Sequence, residues 1–440
     1  MEIRVMFAAV ALLASTTVRA EKPTAARAAI DAFLEKGYSG LAALREDIHA
    51  HPELGFHEKR TASLLAARMR ALGFSVTEGV GGTGVVAMLK NGEGPTAMIR
   101  TELDALPMEE ATGLPYQSRE QAPYNGGTTF VAHSCGHDTH MAAWVGAAGA
   151  LVANKALWHG TLMFIAQPSE ETVGGARKMI ADGLFSRFPK PDYGFAAHVD
   201  NAPTGSVKVK DGAATSNSDA VVIDFKGRGG HGSMPSLTID PVVMAAHFVT
   251  DVQTVISRQK DANSFGVITV GSFQAGSVGN IIPDSAHLKL TLRSFTPDVR
   301  ELLIAGVERT ANAVAVMGAA PAPDIRYPGG TGAVVNDHAL SVRVAAYLTA
   351  ASGDKVVFVP SNLPGWSASE DFSAYIDAGV PSVFFSIGGY SPARLAEYAK
   401  RGEPVPTNHS PLFAPDEKPA IITNARTLAL AAMTVLGRPG

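Results

Sequence analysis

Between residue 24 and about residue 210 the apolar positions switch back and forth between a helical and a strand period. That rhythm belongs to an α/β sheet whose strands are joined by helices. Ala26 to Ala50 carries apolar residues at helical spacing and is stopped by Pro52, and Thr61 to Leu72 repeats the pattern before Gly73 ends it. Val85 to Leu89 and Thr96 to Arg100 read as short strands around Asn91-Gly92, which predicts a hairpin. Met141 to Ala153 reads as a helix of small residues, and Thr161 to Gln167 and Tyr193 to His198 as continuous apolar strands. From about Ala213 the texture changes. Strands Ala220 to Lys226, Phe265 to Phe273 and Ala286 to Phe295 interleave with helices Pro241 to Arg258 and Val299 to Met317, the pattern of a small α+β domain. The first rhythm resumes near Val334, through buried strands Val356 to Val359 and Val383 to Ile387, and ends in a helix, Ala420 to Leu436. The expected architecture is an α/β domain with a central sheet, discontinuous over residues 21–212 and 329–440, with residues 213–328 inserted into it.

The first twenty residues are set apart. Arg4 precedes the apolar run Val5 to Leu13, and Val18-Arg19-Ala20 is a small-residue cleavage signature, so residues 1–20 read as a secretory signal peptide. The run is shorter than the roughly 20 residues a membrane span needs, and no later stretch reads as long enough. The mature protein is expected to be exported, to a bacterial periplasm, with no membrane contact after cleavage. With 37 Lys and Arg against 41 Asp and Glu, a net charge of −4 and no basic run, nothing points to nucleic acid. The single cysteine rules out an internal disulfide framework, and a lone thiol in an oxidising compartment has to be buried or ligated.

That cysteine, Cys135, stands two residues before His137 in His133-Ser134-Cys135-Gly136-His137-Asp138, at the mouth of a helix. Thiolate and neutral imidazole suit a borderline-soft divalent metal, and Gly136 lets both side chains face one point. The strand Thr161 to Gln167 runs into Pro168-Ser169-Glu170-Glu171, and the strand from Tyr193 ends on His198. Sites in open α/β sheets gather outside the carboxyl ends of the strands, so these groups reach the same rim. One of the adjacent glutamates can be a ligand and the other a base; spacing does not say which. Thr407-Asn408-His409-Ser410-Pro411 adds a closing imidazole. Five ligands exceed a closed structural zinc site and suit a pair of ions.

The ordered motifs His51-Pro52-Glu53-Leu54-Gly55-Phe56, Leu103-Asp104-Ala105-Leu106-Pro107, Cys135-Gly136-His137-Asp138, Gln167-Pro168-Ser169-Glu170-Glu171, Gly227-Arg228-Gly229-Gly230-His231-Gly232, Gly279-Asn280-Ile281-Ile282-Pro283-Asp284, Ser369-Glu370-Asp371-Phe372 and Asn408-His409-Ser410-Pro411 resemble the M20 metallopeptidase family. Within it the match is to the amidohydrolase subfamily, which cleaves N-acyl amino acids of the hippurate and auxin-conjugate type. The resemblance implies a zinc-exopeptidase-like catalytic domain with a central mixed sheet and an inserted lid or dimerisation domain. It implies Cys135, His137, Glu171, His198 and His409 as ligands of two divalent ions (Zn, Mn or Co), and Glu170 as general base. It also implies Asp104 as a carboxylate behind the ligands, His231 as an oxyanion donor, and Asn280 and Arg293 as lid residues binding the oxyanion or the substrate carboxylate. A homodimer through the lid follows from the same source.

The expected substrate is a small N-acyl amino acid with an aromatic or apolar acyl group. A dipeptide or carboxyl-terminal residue is the alternative within the family. Two other classes compete: a non-catalytic periplasmic solute-binding protein, which has no use for Glu170, and a hydrolase using Cys135 as nucleophile with a histidine base. Of the other side chains, His49, His51 and His57 read as structural, His133 and His140 as structural or ligand-orienting, Glu370 and Asp371 as helix-start acids, and Trp144 and Trp158 as core. Trp366 is a candidate substrate contact. The stretch Arg119 to Phe130, long for the subfamily, is a candidate shaper of the substrate mouth.

Overall fold

The computed structural model describes the backbone of residues 3–352 and 355–437, and the side chains of residues 23–351 and 355–437. The expected leader therefore lies outside the residues whose side chains are described. The chain forms two compact units, one of residues 1–212, 335–361 and 374–440, the other of residues 213–334 and 362–373.

The first unit is built on an eight-stranded mixed sheet in the order Ser75–Val80, Gly84–Asn91, Gly160–Gln167, Thr96–Glu102, Tyr193–Pro203, Ser382–Tyr390, Val207–Lys210, Val356–Val359. The four middle strands run parallel to one another, and every residue of Thr96–Glu102 is buried, as expected of a strand covered on both faces. Alternate residues meet in register on one face: Ile99 lies beside Phe164 and Phe195, and Val383 pairs with Phe195. They form one core with the helices Ile3–Ala50, Lys59–Ala71, His137–Ala153, His338–Ser352 and Glu417–Leu436. The helix His137–Ala153 is buried all round, and its glycines let neighbours close in: a Cβ on Gly146 would lie 3.0–3.2 Å from Leu41, Ala425 and Leu34.

Several expectations change here. The strands flanking Asn91-Gly92 do not pair with each other, because Gly160–Gln167 lies between them, antiparallel to one and parallel to the other. A fully buried strand needs partners on both edges, and that need outweighs the local turn signal. The hairpin in this region is instead Ser75–Val80 with Gly84–Asn91. Val356–Val359 is an edge strand with Val357 and Phe358 exposed, not a buried one. Glu417–Leu436 is, contrary to the reading of the sequence, long and apolar enough to span a membrane, yet it is buried along most of its length as a core helix. Arg119 to Phe130 contains a small hairpin, Gln121–Tyr124 with Gly127–Phe130, turning through Asn125 and Gly126 at positive φ.

Beneath the helix His137–Ala153 lies a buried ionic cluster. Arg45 Nε donates to Asp138 Oδ2 at 2.6 Å, and His49 bridges Asp138 Oδ2 at 2.9 Å and Glu110 Oε1 at 3.0 Å. Burial disfavours Asp138's charge, but Arg45 and His49 outweigh that and hold its carboxyl far below the usual carboxylate range. Removing one partner of such a pair strands the other charge in the interior. Arg45→Met is therefore expected to lower the unfolding free energy by about 3–5 kcal/mol in chemical denaturation. A loss below about 1 kcal/mol, the worth of an exposed pair, would show that the cluster carries no such weight.

The second unit is a four-stranded antiparallel sheet, Gly266–Ala275, Ser285–Ser294, Asn217–Lys226, Asp324–Thr331, with the helices Pro241–Asp251 and Pro297–Met317 packed on it. Asn217–Lys226 alternates buried and partly exposed positions, so Val221, Ile223 and Phe225 meet Phe248 and Leu303 in one core. Each helix starts with a cap and a proline, Asp240-Pro241 and Thr296-Pro297. The first ends at Asp251, and Val255–Gln259 is a separate π-turn rather than its continuation to Arg258. Asn362–Ser373 joins this unit although the sequence placed it in the catalytic domain. The reason is backbone pairing: Trp366 N donates to Ala214 O at 2.8 Å, and Ser216 N to Ala368 O at 2.9 Å.

Candidate metal centre

The loop before the helix His137–Ala153 is shaped by Gly136, at φ +92°; a Cβ there would lie 2.6 Å from Val199 Cγ1, so only glycine fits. His137 donates from Nδ1 to the backbone oxygen of Asp104 at 2.8 Å. A carbonyl only accepts, so Nδ1 carries the proton and Nε2 presents its lone pair. That Nε2 is buried with no hydrogen-bond partner among the described residues, 3.9 Å from Glu171 Oε1 and 4.0 Å from Glu170 Oε2.

His198 is set the same way. It is not the last residue of its strand, which continues to Pro203, but pairing with Thr96–Glu102 stops at Phe195. Beyond that point a side chain replaces the ladder: Val199 N donates to His140 Nε2 at 2.9 Å, and His140 Nδ1 donates to Glu102 Oε2 at 3.0 Å. His198 Nδ1 is tied to Val199 O at 2.8 Å, which leaves its Nε2 3.3 Å from Cys135 Sγ.

The two glutamates follow Gln167 in a tight turn. Glu171 N donates to Asp104 Oδ2 at 2.9 Å, so Asp104 holds His137 through its carbonyl and the glutamate turn through its carboxylate. Burial raises the Asp104 carboxyl to about 7. His409, at φ +68°, brings Nε2 to 3.3 Å from Glu171 Oε2. Its turn is pinned by His409 N to Ser134 O at 2.8 Å, and by Asn408 Nδ2 to Cys135 O at 2.9 Å and Val199 O at 3.1 Å.

The five side chains thus converge within the first unit. Cys135, His137 and His198 place one donor atom each within 4.8 Å of one another, and so do Cys135, Glu171 and His409, two sets that share the sulfur. A third set, His137, Glu170 and Glu171, places Glu170 beside both. The donors fit divalent cations: one thiol, three imidazoles and a carboxylate, with His137 Nε2 and Glu171 Oε1 buried and, among the described residues, without a hydrogen-bond partner. Burial, reinforced by Glu171 and Glu170, pushes the Cys135 thiol well above its usual range, so a nearby cation is needed to make it a thiolate.

In the second unit, His231 and Asn280 come together: His231 pairs with Ile281, and Gly232 N donates to Asn280 O at 2.8 Å. Arg293 does not join them. Gly229 N bonds Asp284 at 2.7 Å, whereas Arg293 lies nine residues further along the strand that follows Asp284, about 30 Å at strand rise. Its guanidinium is engaged by Ser218, Thr291 and the Leu292 carbonyl. Trp366 pairs through its backbone with Thr215 and Ala214. Trp144 and Trp158 are core residues, and His49 is structural as expected. Among the described residues, buried His133 has neither ring nitrogen hydrogen-bonded. The sequence did not reveal Glu102 or Asn408, whose partners lie 38 and up to 273 positions away.

Paired donor sets with an adjoining carboxylate, at the ends of parallel strands, equip a metal-dependent hydrolase. Residues 98–412 match the peptidase family M20/M25/M40. The chain belongs to that family, in its amidohydrolase branch, whose members hydrolyse amides. It is 40% identical over 263 residues to hippurate hydrolase of Campylobacter jejuni, covering 59% of this chain and 65% of that protein's length. It is 32% identical over 360 residues to N-acetylcysteine deacetylase of Bacillus subtilis, covering 80% of this chain and 88% of the relative. A dinuclear metal-binding peptidase of the M20 family from Bacillus subtilis superposes with a TM-score of 0.73 at 27% identity, over 91% of this chain and 99% of that one.

Proposed function

We propose that this protein hydrolyses the amide bond of N-acyl amino acids carrying an aromatic or apolar acyl group. In this reading two divalent ions, zinc, manganese or cobalt, are held by Cys135, His137, Glu171, His198 and His409. The observation that carries it is the pair of donor sets sharing Cys135, with Glu170 beside them. The names of the relatives, a hippurate hydrolase and an N-acetylcysteine deacetylase, support the substrate class.

Bound ions supply Lewis acidity, polarising the scissile carbonyl and making water a stronger acid. The chain's own part is proton handling and orientation. Glu170 accepts the proton of the attacking water and returns it to the leaving amine nitrogen, one carboxylate serving as base and then as acid. Asp104 keeps His137 and the glutamate turn in fixed orientation. The Glu102–His140 pair does the same for the backbone beside His198. His231 and Asn280 are assigned to the oxyanion, on the strength of their adjacency and the family motif. Export to the periplasm is supported by the leader-like residues 1–20. Self-association through the second unit is supported by its exposed Met234, Leu237, Val278 and Ile281.

The test is amine release from a panel of benzoyl- and acetyl-amino acids set against dipeptides. N-acyl amino acids are expected to give the higher kcat/KM. A preference for dipeptides would favour the peptidase reading, and binding without turnover a solute-binding protein.

A further inference from the structure

Glu58 stands at the N-cap position of the helix Lys59–Ala71, where a carboxylate ordinarily accepts the helix's own first amides. It caps nothing. Its side chain is fully buried and reaches across 111 positions: Oε1 accepts the amide of Ser169 at 2.8 Å, while Oε2 accepts the hydroxyl of Thr83. The amides of Phe56 and of Glu58 itself also face this carboxylate. Phe56, at φ +62°, adopts a left-handed conformation that turns the segment back on itself. Burying a carboxylate among four donors needs a reason, and the helix does not provide one.

The recipient does. Ser169 and Val173 both hold φ +50°, uncommon for any residue but glycine and a true outlier for a β-branched valine. Together they bracket Glu170, Glu171 and Thr172. Backbone of this kind persists only where its surroundings over-determine it. Inside the turn, Val173 N donates to Glu170 O at 2.7 Å, and the hydroxyls of Ser169 and Thr172 meet at 2.6 Å. From outside, Asp104 takes the amide of Glu171, and Glu58 takes that of Ser169. Gly55 allows the approach, since a Cβ there would lie 2.5 Å from Ser169 Oγ. The residue assigned as base is thus flanked on both sides by peptide groups tied to buried carboxylates.

We infer that Glu58 is a positioning residue for the reaction: by accepting the Ser169 amide it fixes the strained turn that aims Glu170 at the metal centre, while Asp104 holds the Glu171 amide on the other side. This rests on Glu170 being the base. It acts on orientation, so its loss lowers kcat more than it raises KM and leaves the ligands in place.

Glu58→Ala, Glu58→Gln and Glu170→Ala are prepared side by side, and kcat, KM, metal content and thermal stability are measured on a benzoyl-amino acid. Glu58→Ala is expected to lose about 10–100-fold in kcat with its metal retained. Glu58→Gln, whose amide oxygen still accepts the Ser169 N–H, is expected to recover most of that. If the alanine variant does not fold, Glu58→Gln and Thr83→Val carry the test, each with a smaller drop in kcat at unchanged metal content. Wild-type kcat in a folded Glu58→Ala, a glutamine variant as poor as alanine, or full recovery on adding excess metal would each overturn the inference. With Glu170→Ala inactive, such a result refutes only the positioning role. A fully active Glu170→Ala refutes the base assignment itself.

Discussion

Glu170→Ala is expected to keep its metal and lose about 10²–10⁴-fold in kcat, the range attributable to a positioned proton carrier. The expectation follows from the geometry. Cys135, His137 and His198 form one donor set and Cys135, Glu171 and His409 another, neither of which includes Glu170. Glu170 Oε2 nevertheless lies 4.0 Å from His137 Nε2, close enough to receive a proton from water held at that rim. Removing its carboxylate leaves both donor sets intact and takes away the proposed base. Steady-state kinetics on a benzoyl-amino acid, with metal content measured on the same preparation, reads both quantities. Wild-type turnover would refute the assigned base, and a parallel loss of metal would reassign Glu170 as a ligand.

Chelation is expected to abolish activity outright, with recovery on adding Zn²⁺, Mn²⁺ or Co²⁺. The Cys135 thiol is buried beside Glu171 and Glu170 and holds its proton strongly in the absence of a cation. Burial opposes charge on His137, but Glu102, Glu171 and Asp104 outweigh it and raise its pKa. Stripped of metal, Cys135 keeps its proton and His137 competes for one, and the centre has no capacity to polarise a carbonyl. Metal binding has to displace those protons, so affinity rises with pH. Dialysis against chelator, followed by titration with each ion, checks the expectation. Activity that survives chelation but is lost on thiol alkylation would instead mark Cys135 as a nucleophile.

Two pieces of the candidate centre were legible in the sequence because each is local, whereas His198 and His409 reach it only through the fold. Cys135 and His137 are separated only by a glycine that has to be left-handed, and Glu170 and Glu171 follow a strand apolar throughout. The hairpin at Asn91-Gly92 was misread because the turn signal is local, while Gly160–Gln167, the strand that separates its two arms, comes about seventy residues later. The groups that orient the ligands were hidden for a related reason. Glu58 stands at a helix start and Asn408 beside His409; what each does is set by the Ser169 amide and the Cys135 and Val199 carbonyls, which sequence spacing does not encode. Arg293 shows the converse. Its chemistry suits a substrate carboxylate as the resemblance implies, and its place on the strand sets it apart from His231 and Asn280.

The most direct test of the two-ion centre is the metal stoichiometry of the cobalt-loaded protein beside that of Cys135→Ala, read together with the thiolate-to-cobalt absorption. Two equivalents per chain with a thiolate band, both diminished in Cys135→Ala, are expected from a sulfur shared by the two donor sets. One equivalent or none in the wild-type protein, or two equivalents with no thiolate band, would contradict it.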